Sequence, residues 1–189
     1  MKLKLVSIVF LLTTCGAARA ATNGVIVVTW SATTTPGPCA PAGITLGALP
    51  ACPANTSFQA QSISLGGERG SLTGPASFTD IALSKTTDAS SSALFLSMLE
   101  GKPLGNVLIS VYTPNDIAVA GTGTPIASYT LTLTGSPVTS IADSASSTIP
   151  EQSVTLSYAT INYSYIVHNA SGTQDSLAFT YNHLTGTFR

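Results

Sequence analysis

The side chains of this 189-residue sequence that could do chemistry are few: two histidines, a handful of carboxylates, and two cysteines beyond the first twenty residues. His168 opens a loop, and His183 sits near the end of the last strand-like run. A histidine acts as base or ligand only beside a partner, and no HExxH, GxSxG, GxGxxG or P-loop spacing supplies one. Serine and threonine make up roughly a quarter of the chain, far above ordinary usage. A hydroxyl near a histidine therefore carries little information, because triads are defined by geometry. The histidines read as partly exposed hairpin-end residues. Asp80, Asp88 and Asp116 fall in turns or at a helix start, where carboxylates cap backbone N–H groups, and no calcium-loop spacing joins them. Tyr158, Tyr163 and Tyr165 could form a sugar-stacking platform, although strand aromatics more often fill a core or an interface. The sequons at Asn55, Asn162 and Asn169 matter only in a glycosylating host, and Asn162 lies within a strand. No catalytic residue, metal site or cofactor is expected.

The first twenty residues read as a secretory signal: Lys2 and Lys4, an apolar run from Leu3 to Leu12, then a small-x-small site at Ala18-Arg19-Ala20. The run is too short to span a membrane. A lipoprotein signal at Cys15 competes, but Thr14 before it fits poorly. Cleavage near Ala20 places the protein outside the cytoplasm, periplasmic or extracellular. It leaves Cys39 and Cys52, which an exported chain most simply joins as a disulfide. The closed loop would contribute about 3 kcal/mol in the chain-entropy model. The rival metal or redox reading finds no CxxC and no nearby histidine. Cleavage also removes three cations, leaving Arg69, Lys85, Lys102 and Arg189 against eight acidic residues, so no basic patch exists for nucleic acid. Charged residues are only 8% of the chain, and mean hydropathy is +0.37, so little repulsion keeps copies apart.

These residues must be held by a sheet. Gly24 to Trp30 is β-branched and aromatic. Residues 31–57 carry five prolines and three glycines and cannot hold a ladder, so they form an irregular insertion. Phe58 to Leu65 alternates, and Gly66 to Gly70 is a turn or loop. From Ser77 to Lys102 the chain reads as strand, polar turn and one convincing helix, with a slip in period at Asp80. Asp88, Ser90, Ser91 and Ser92 can cap the helix start, and Gly101 ends it, with Lys102 near the negative end of the dipole. Leu94, Phe95, Met98 and Leu99 make one apolar face, with Leu94, Phe95 and Met98 as its core side. Further strands run from Asn106 to Tyr112, within Ile126 to Thr134, over Val138 to Ile141, from Glu151 to Val167 with a parity switch at Ala159-Thr160, and over Ser176 to Leu184. Ala142 to Thr148 is a serine- and alanine-rich loop, and His168 to Gln174 a hairpin loop. The fold class is mainly β: a compact antiparallel barrel of about 7–8 strands, or a sandwich, flanked by one short α-helix. Residues 21–189 form a single domain of a size that can bury a core.

From Phe58 onward the order of pieces resembles the haemolysin-coregulated protein family, the tube protein of type VI secretion. The segments that carry the resemblance are SFTDIALSKTTDASSSALFL from Ser77, EGK from Glu100 and VLISVY from Val107. They continue with YTLTL from Tyr129, VTSI from Val138, PEQSVTLSYATINYSY from Pro150, then Gly172 and the strand through Phe179 to Tyr181. The most specific parts are the strand–Lys–x–x–Asp–x–x–Ser–helix unit and the Glu-x-Val-x-Leu-x-Tyr-like unit. The resemblance implies a small barrel flanked by a helix, a structural rather than enzymatic role, and side-by-side association into hexameric rings that can stack into a tube. It also makes Thr86, Thr87, Asp88 and Ser90 candidate contacts with a neighbouring subunit.

Two features depart from that family: the cleavable signal, and the long insertion, which could decorate a ring or block stacking. The expected partner is the chain itself, and a secreted effector or surface partner is left open. The competing reading is a monomeric secreted module holding a glycan or cell-surface partner. A pilin joined by strand donation would need a C-terminal pattern that residues 185–189 lack.

Overall fold

The computed structural model describes residues 24–69, 76–116, 123–146, 149–168 and 174–189. The expected signal peptide, the tip of the glycine-rich loop, Asn169 and Gly172 lie outside the described residues. Ten strands form one sheet. They are β1 (Val25–Ser31), β2 (Ser57–Ser64), β5 (Ile81–Thr86), β6 (Asn106–Tyr112), β7 (Tyr129–Thr134), β8 (Val138–Ser146), β9 (Ile149–Leu156), β10 (Thr160–His168), β11 (Gln174–Asn182) and β12 (Thr187–Phe188). Their order is β12-β11-β10-β7-β6-β1-β2-β5-β9-β8, and every neighbouring pair is antiparallel. β3 (Gly67–Arg69) and β4 (Ala76–Phe78) pair separately as a short ribbon. The helix α1 is Ser91–Glu100.

The sheet is not closed by a ladder, yet it cannot be flat. β7 and β8 stand six places apart in the sheet order, which would separate them by about 29 Å if the sheet were flat. Only residues 135–137 join them, and a link that short reaches roughly 14 Å. Residues 157–159 make the same jump from β9 to β10. The sheet therefore curls into a barrel-like body. Hydrogen bonds tie the two jumps together: Ser157 N–H donates to the Pro137 carbonyl at 3.1 Å, and Ala159 N–H to that of Thr134 at 2.9 Å. The parity switch at Ala159-Thr160 is thus a bend, the corner between two strands with different neighbours.

Inside the curl lie Val28, Trp30, Phe58, Ile81, Leu83, Leu94, Val107, Ile109, Leu131, Leu133, Val154, Leu156, Ile161 and Tyr181. A second, smaller core sits on the outer face of β1 and β6, where residues of the 31–57 insertion cover Val25, Val27 and Tyr112. β1 is consequently buried on both faces, which explains its unbroken run of β-branched residues.

Several expectations change. There are more strands than seven or eight. Gly67–Arg69 is a strand rather than a loop. Most of the serine- and alanine-rich loop is strand too, because β8 runs on to Ser146 beside β9, Ala142 facing Ser153 and Ser144 facing Glu151. Ladder pairing with a long neighbour outweighs the weak β-propensity of serine and alanine. The strand expected from Ser77 breaks at Thr79–Asp80, so β4 and β5 join different sheets.

Gly105 links α1 to β6 with φ +87°, and a Cβ there would stand 2.5 Å from the Ser31 carbonyl oxygen and 2.7 Å from Ala32 Cα. Gly105→Ala is expected to lower the unfolding free energy by about 1–3 kcal/mol. A urea midpoint equal to that of the unsubstituted protein would contradict this.

Candidate self-association surface

The junction of β5 and α1 is built around a buried cation. Strand alternation sends Ile81, Leu83 and Lys85 to the inner face, and Lys85 is 0% exposed. An ammonium there needs every N–H satisfied. Its Nζ donates to the Thr86 carbonyl at 2.8 Å, to Asp88 Oδ1 at 2.8 Å and to Ser91 Oγ at 2.9 Å. The Phe58 ring lies 5.3 Å away, a cation–π distance. Burial pushes the Asp88 carboxyl up, but the hydrogen bonds from Lys85 and Ser90 outweigh it and hold the pKa below its ordinary value.

This junction reassigns the candidate contact residues. Thr87 is exposed and Thr86 half-buried. Asp88 faces solvent in part, but its Oδ1 also accepts from Ser90 N–H at 2.8 Å and Ser90 Oγ at 2.6 Å. Ser90 is 0% exposed and so cannot reach a neighbouring subunit; its hydroxyl is turned inward to Asp88. Ser90 is the N-cap residue but makes no side-chain cap bond, and Ser92 Oγ donates back to the Ala89 carbonyl. The capping expected of the serines is supplied by Asp88. Gly101 closes the helix with φ 63°, while Lys102 pairs with Glu100 at 2.7 Å. On the helix, Leu94 is buried and Met98 packs against the core. Phe95 is half-buried and lies outside that cluster, and Leu99 is 77% exposed, so the apolar face is narrower than its spacing suggested.

The exposed apolar surface lies elsewhere. β10 and β11 pair along their whole length, with Ile161 opposite Tyr181, Tyr163 opposite Phe179 and Tyr165 opposite Leu177. The first pair is buried and the second half-buried. The third emerges into solvent, with Tyr165 43% and Leu177 67% exposed, and Val167 follows at 43%. The hairpin thus carries the core-facing side of the sheet beyond the body. Its root is an aromatic stack: Tyr163 lies on Phe179 with centroids 4.9 Å apart, and Tyr129 meets Tyr163 edge-on at 4.9 Å. Burial, then the Tyr163 hydroxyl, push the Tyr129 pKa up to about 12.

At the ends of the strand order, β12 covers β11 only at Tyr181 and Asn182, with Arg189 bonding Thr180, and β8 pairs with β9 alone among the described strands, with α1 packed against it. Neither β8 (VTSIADSAS) nor β11 (QDSLAFTYN) carries the lysine or proline that commonly blunts an edge.

Candidate chemistry does not converge. His183 is exposed beside Tyr158 and Tyr181, and Asp80 accepts from Thr139 Oγ1 at 3.1 Å. Asp116 is buried and accepts from Thr113 N–H at 2.6 Å and from Ser128, pinning the chain between β6 and β7. Tyr158 donates to the Thr79 carbonyl at 3.1 Å. Cys39 and Cys52 are joined. No group of three His, Cys, Asp or Glu able to hold a metal occurs among the described residues. Sequence reasoning missed the burial of Lys85, although its parity with Ile81 and Leu83 was there to be read.

The model of the family "Type VI secretion system effector, Hcp" matches residues 54–165. No curated protein matches the chain. Among solved structures, Hcp1 from Salmonella typhimurium superposes with a TM-score of 0.64 at 14% identity, covering 88% of this chain and 99% of that one. A type six secretion system protein gives 0.62 at 13%, covering 87% and 99%. A type VI secretion system effector from Yersinia pestis gives 0.57 at 16%, covering 83% and 98%. At these identities the likeness concerns the fold.

Two expected outcomes follow from the Lys85 junction. Lys85→Ala strands Asp88 and Ser91 and is expected to cost about 3–5 kcal/mol, read by chemical denaturation. Asp88 has a depressed folded pKa, so its stabilisation is present above the unfolded carboxyl value near 3.8 and is lost as pH falls through the lower, folded value. The Tm difference between the natural protein and Asp88→Asn should therefore hold at neutral pH and shrink below about pH 4. A difference independent of pH would contradict this.

Proposed function

The chain belongs to the type VI secretion system effector Hcp family, and from that premise we propose that it is a non-enzymatic structural subunit that associates side by side with copies of itself. Membership supports hexameric rings able to stack. Residues 21–189 act as one unit, with the 31–57 insertion as its addition, and the chain leaves the cytoplasm after cleavage near Ala20. No helix among the described residues is long and apolar enough to cross a membrane.

One observation carries the reading. The β10–β11 overhang presents Tyr165, Val167 and Leu177 to solvent in the same sheet whose end strands, β12 and β8, each have a single ladder partner among the described residues. A chain with so few charges has little to oppose contact between such surfaces. Different edges meeting head to tail give a heterologous interface, which closes into a ring when the rotation per copy allows. Thr87, exposed beside the buried junction, remains a contact candidate, with Thr86 at its margin.

Light scattering and negative-stain microscopy of the oxidised mature protein are expected to find ring-sized particles. Leu177→Asp and Val167→Asp should weaken self-association at least about ten-fold. A strictly monomeric species at high concentration, without rings, would overturn the reading. N-terminal sequencing of exported protein should start at Ala21.

A further inference from the structure

The family match spans residues 54–165, so nearly all of the segment between β1 and β2 lies outside it. It sits on the outer strip made by Val25 and Val27 of β1, each 2% exposed, and Tyr112 of β6 at 1%. The cover is small. Leu46 is fully buried at its centre, with Ala40, Cys39, Ile44, Leu49 and Cys52 around it. Its backbone bonds run mostly within itself: Ala40 N–H to the Pro50 carbonyl and Cys52 N–H to that of Ala40 close a neck, and the disulfide crosses the same neck. Ala48 N–H to the Gly123 carbonyl at 3.0 Å is the one backbone bond, among the described residues, that carries residues 36–55 to another part of the chain.

Two clefts open to solvent flank the cover. On one side a cleft of about 620 Å³ lies between Thr29, Trp30, Pro36 and Pro53; on the other, one of about 360 Å³ lies between Pro38, Leu108, Tyr112 and Ile126. At the first, the buried Thr29 hydroxyl has no hydrogen-bond partner. The segment is held by one apolar plug, one covalent clasp and two backbone bonds to the rest of the chain, Ala48 N–H to the Gly123 carbonyl and, at its root, Trp30 N–H to the Thr56 carbonyl.

We propose that Cys39–Cys52 is a redox latch. With the bond formed, residues 32–56 are a lid closed on the Val25–Val27–Tyr112 strip; with it broken, the lid lifts and the strip is uncovered while the barrel persists. Opening uses an external dithiol reductant. One of its thiolates attacks the half-buried Cys52 sulfur, the S–S bond breaks and Cys39 leaves as a thiolate. The second thiol of the reductant then resolves the mixed disulfide. Two electrons pass from the dithiol, which ends as a disulfide, and the cysteines take up two protons. The main core keeps its own residues on the other face of β1, so the sheet does not depend on the lid. Oxidation is then the step that finishes the outer face of the protein.

The test compares the oxidised mature protein, the same protein with dithiothreitol, and Cys39→Ser/Cys52→Ser. Readouts are cleavage by a broad-specificity protease mapped by mass spectrometry, fluorescence of an apolar dye, and strand content by circular dichroism. The reduced and serine forms should be cut within residues 32–56 about 100-fold faster than the oxidised form and should bind dye, with strand content kept. Leu46→Asp, with the disulfide intact, should bind dye without reductant. A reduced protein that resists cleavage and binds no dye would overturn the latch, since packing alone would then hold the lid. Loss of strand content on reduction would overturn it too, making the bond a staple of the whole barrel. A Leu46→Asp protein that stays dark would show that the lid does not cover the strip.

Discussion

A single ammonium group fixes the geometry of the central part of the chain. Lys85 occupies an inward position of β5, where an uncompensated charge would cost several kcal/mol. Three acceptors must therefore converge on Nζ, and they come from Thr86, Asp88 and Ser91. That requirement ends the strand, folds the turn and starts the helix within seven residues of sequence, Lys85 to Ser91. It also sets where α1 begins, and hence that Leu94 enters the core and that the helix packs against β8. On the neighbouring strand, Gln152 faces Lys85 in register and is itself buried, its amide donating to Asp143 at 2.8 Å.

The curl of the sheet has an equally simple cause. Two links of three residues, 135–137 and 157–159, bind opposite ends of the strand order to one corner. Local covalent reach thus converts a ladder that could have been open and flat into a body with an inside. β10 and β11 run away from that corner and past the start of β7 at Tyr129, so residues of core-facing parity emerge into water as the overhang. The exposed Leu177 and Val167 are a consequence of hairpin length, not of a lapse in patterning.

What was legible in the sequence divides along physical lines. The β1, β2, β6 and β7 runs, the helix and its Gly101 cap are written in local periodicity and turn chemistry, and they stand where the residues put them. β8 beyond Ile141 was not legible, because its side chains have no inward–outward contrast and only the register with β9 makes it a strand. The inward turn of Ser90 was hidden for a similar reason. A serine at a helix start can cap, donate or face solvent, and the nearby buried cation decides among these by claiming Asp88, which then takes both the Ser90 amide and hydroxyl. The second core was invisible because its cover has no period; Ile44, Leu46 and Leu49 scattered among proline, glycine and alanine do not announce a packing face.

The insertion and the overhang pose opposite problems with the same physics. Both concern apolar side chains on strands that a sheet places outside its main core. On the outer face of β1 and β6 the chain supplies its own cover, bringing Leu46 down on Val25, Val27 and Tyr112 and clasping the neck with a disulfide. On β10 and β11 it supplies none, and Tyr165, Val167 and Leu177 stay in water. A chain able to build a cover from twenty-odd residues of simple sequence has left one surface closed and one open. Low charge makes an open apolar surface hazardous unless contact is directed. In the assembly proposed above, the direction comes from the sheet, whose strand edges present hydrogen-bonding groups in fixed register. There apolar area supplies the attraction and the edges supply the orientation, which is what distinguishes ordered association from aggregation.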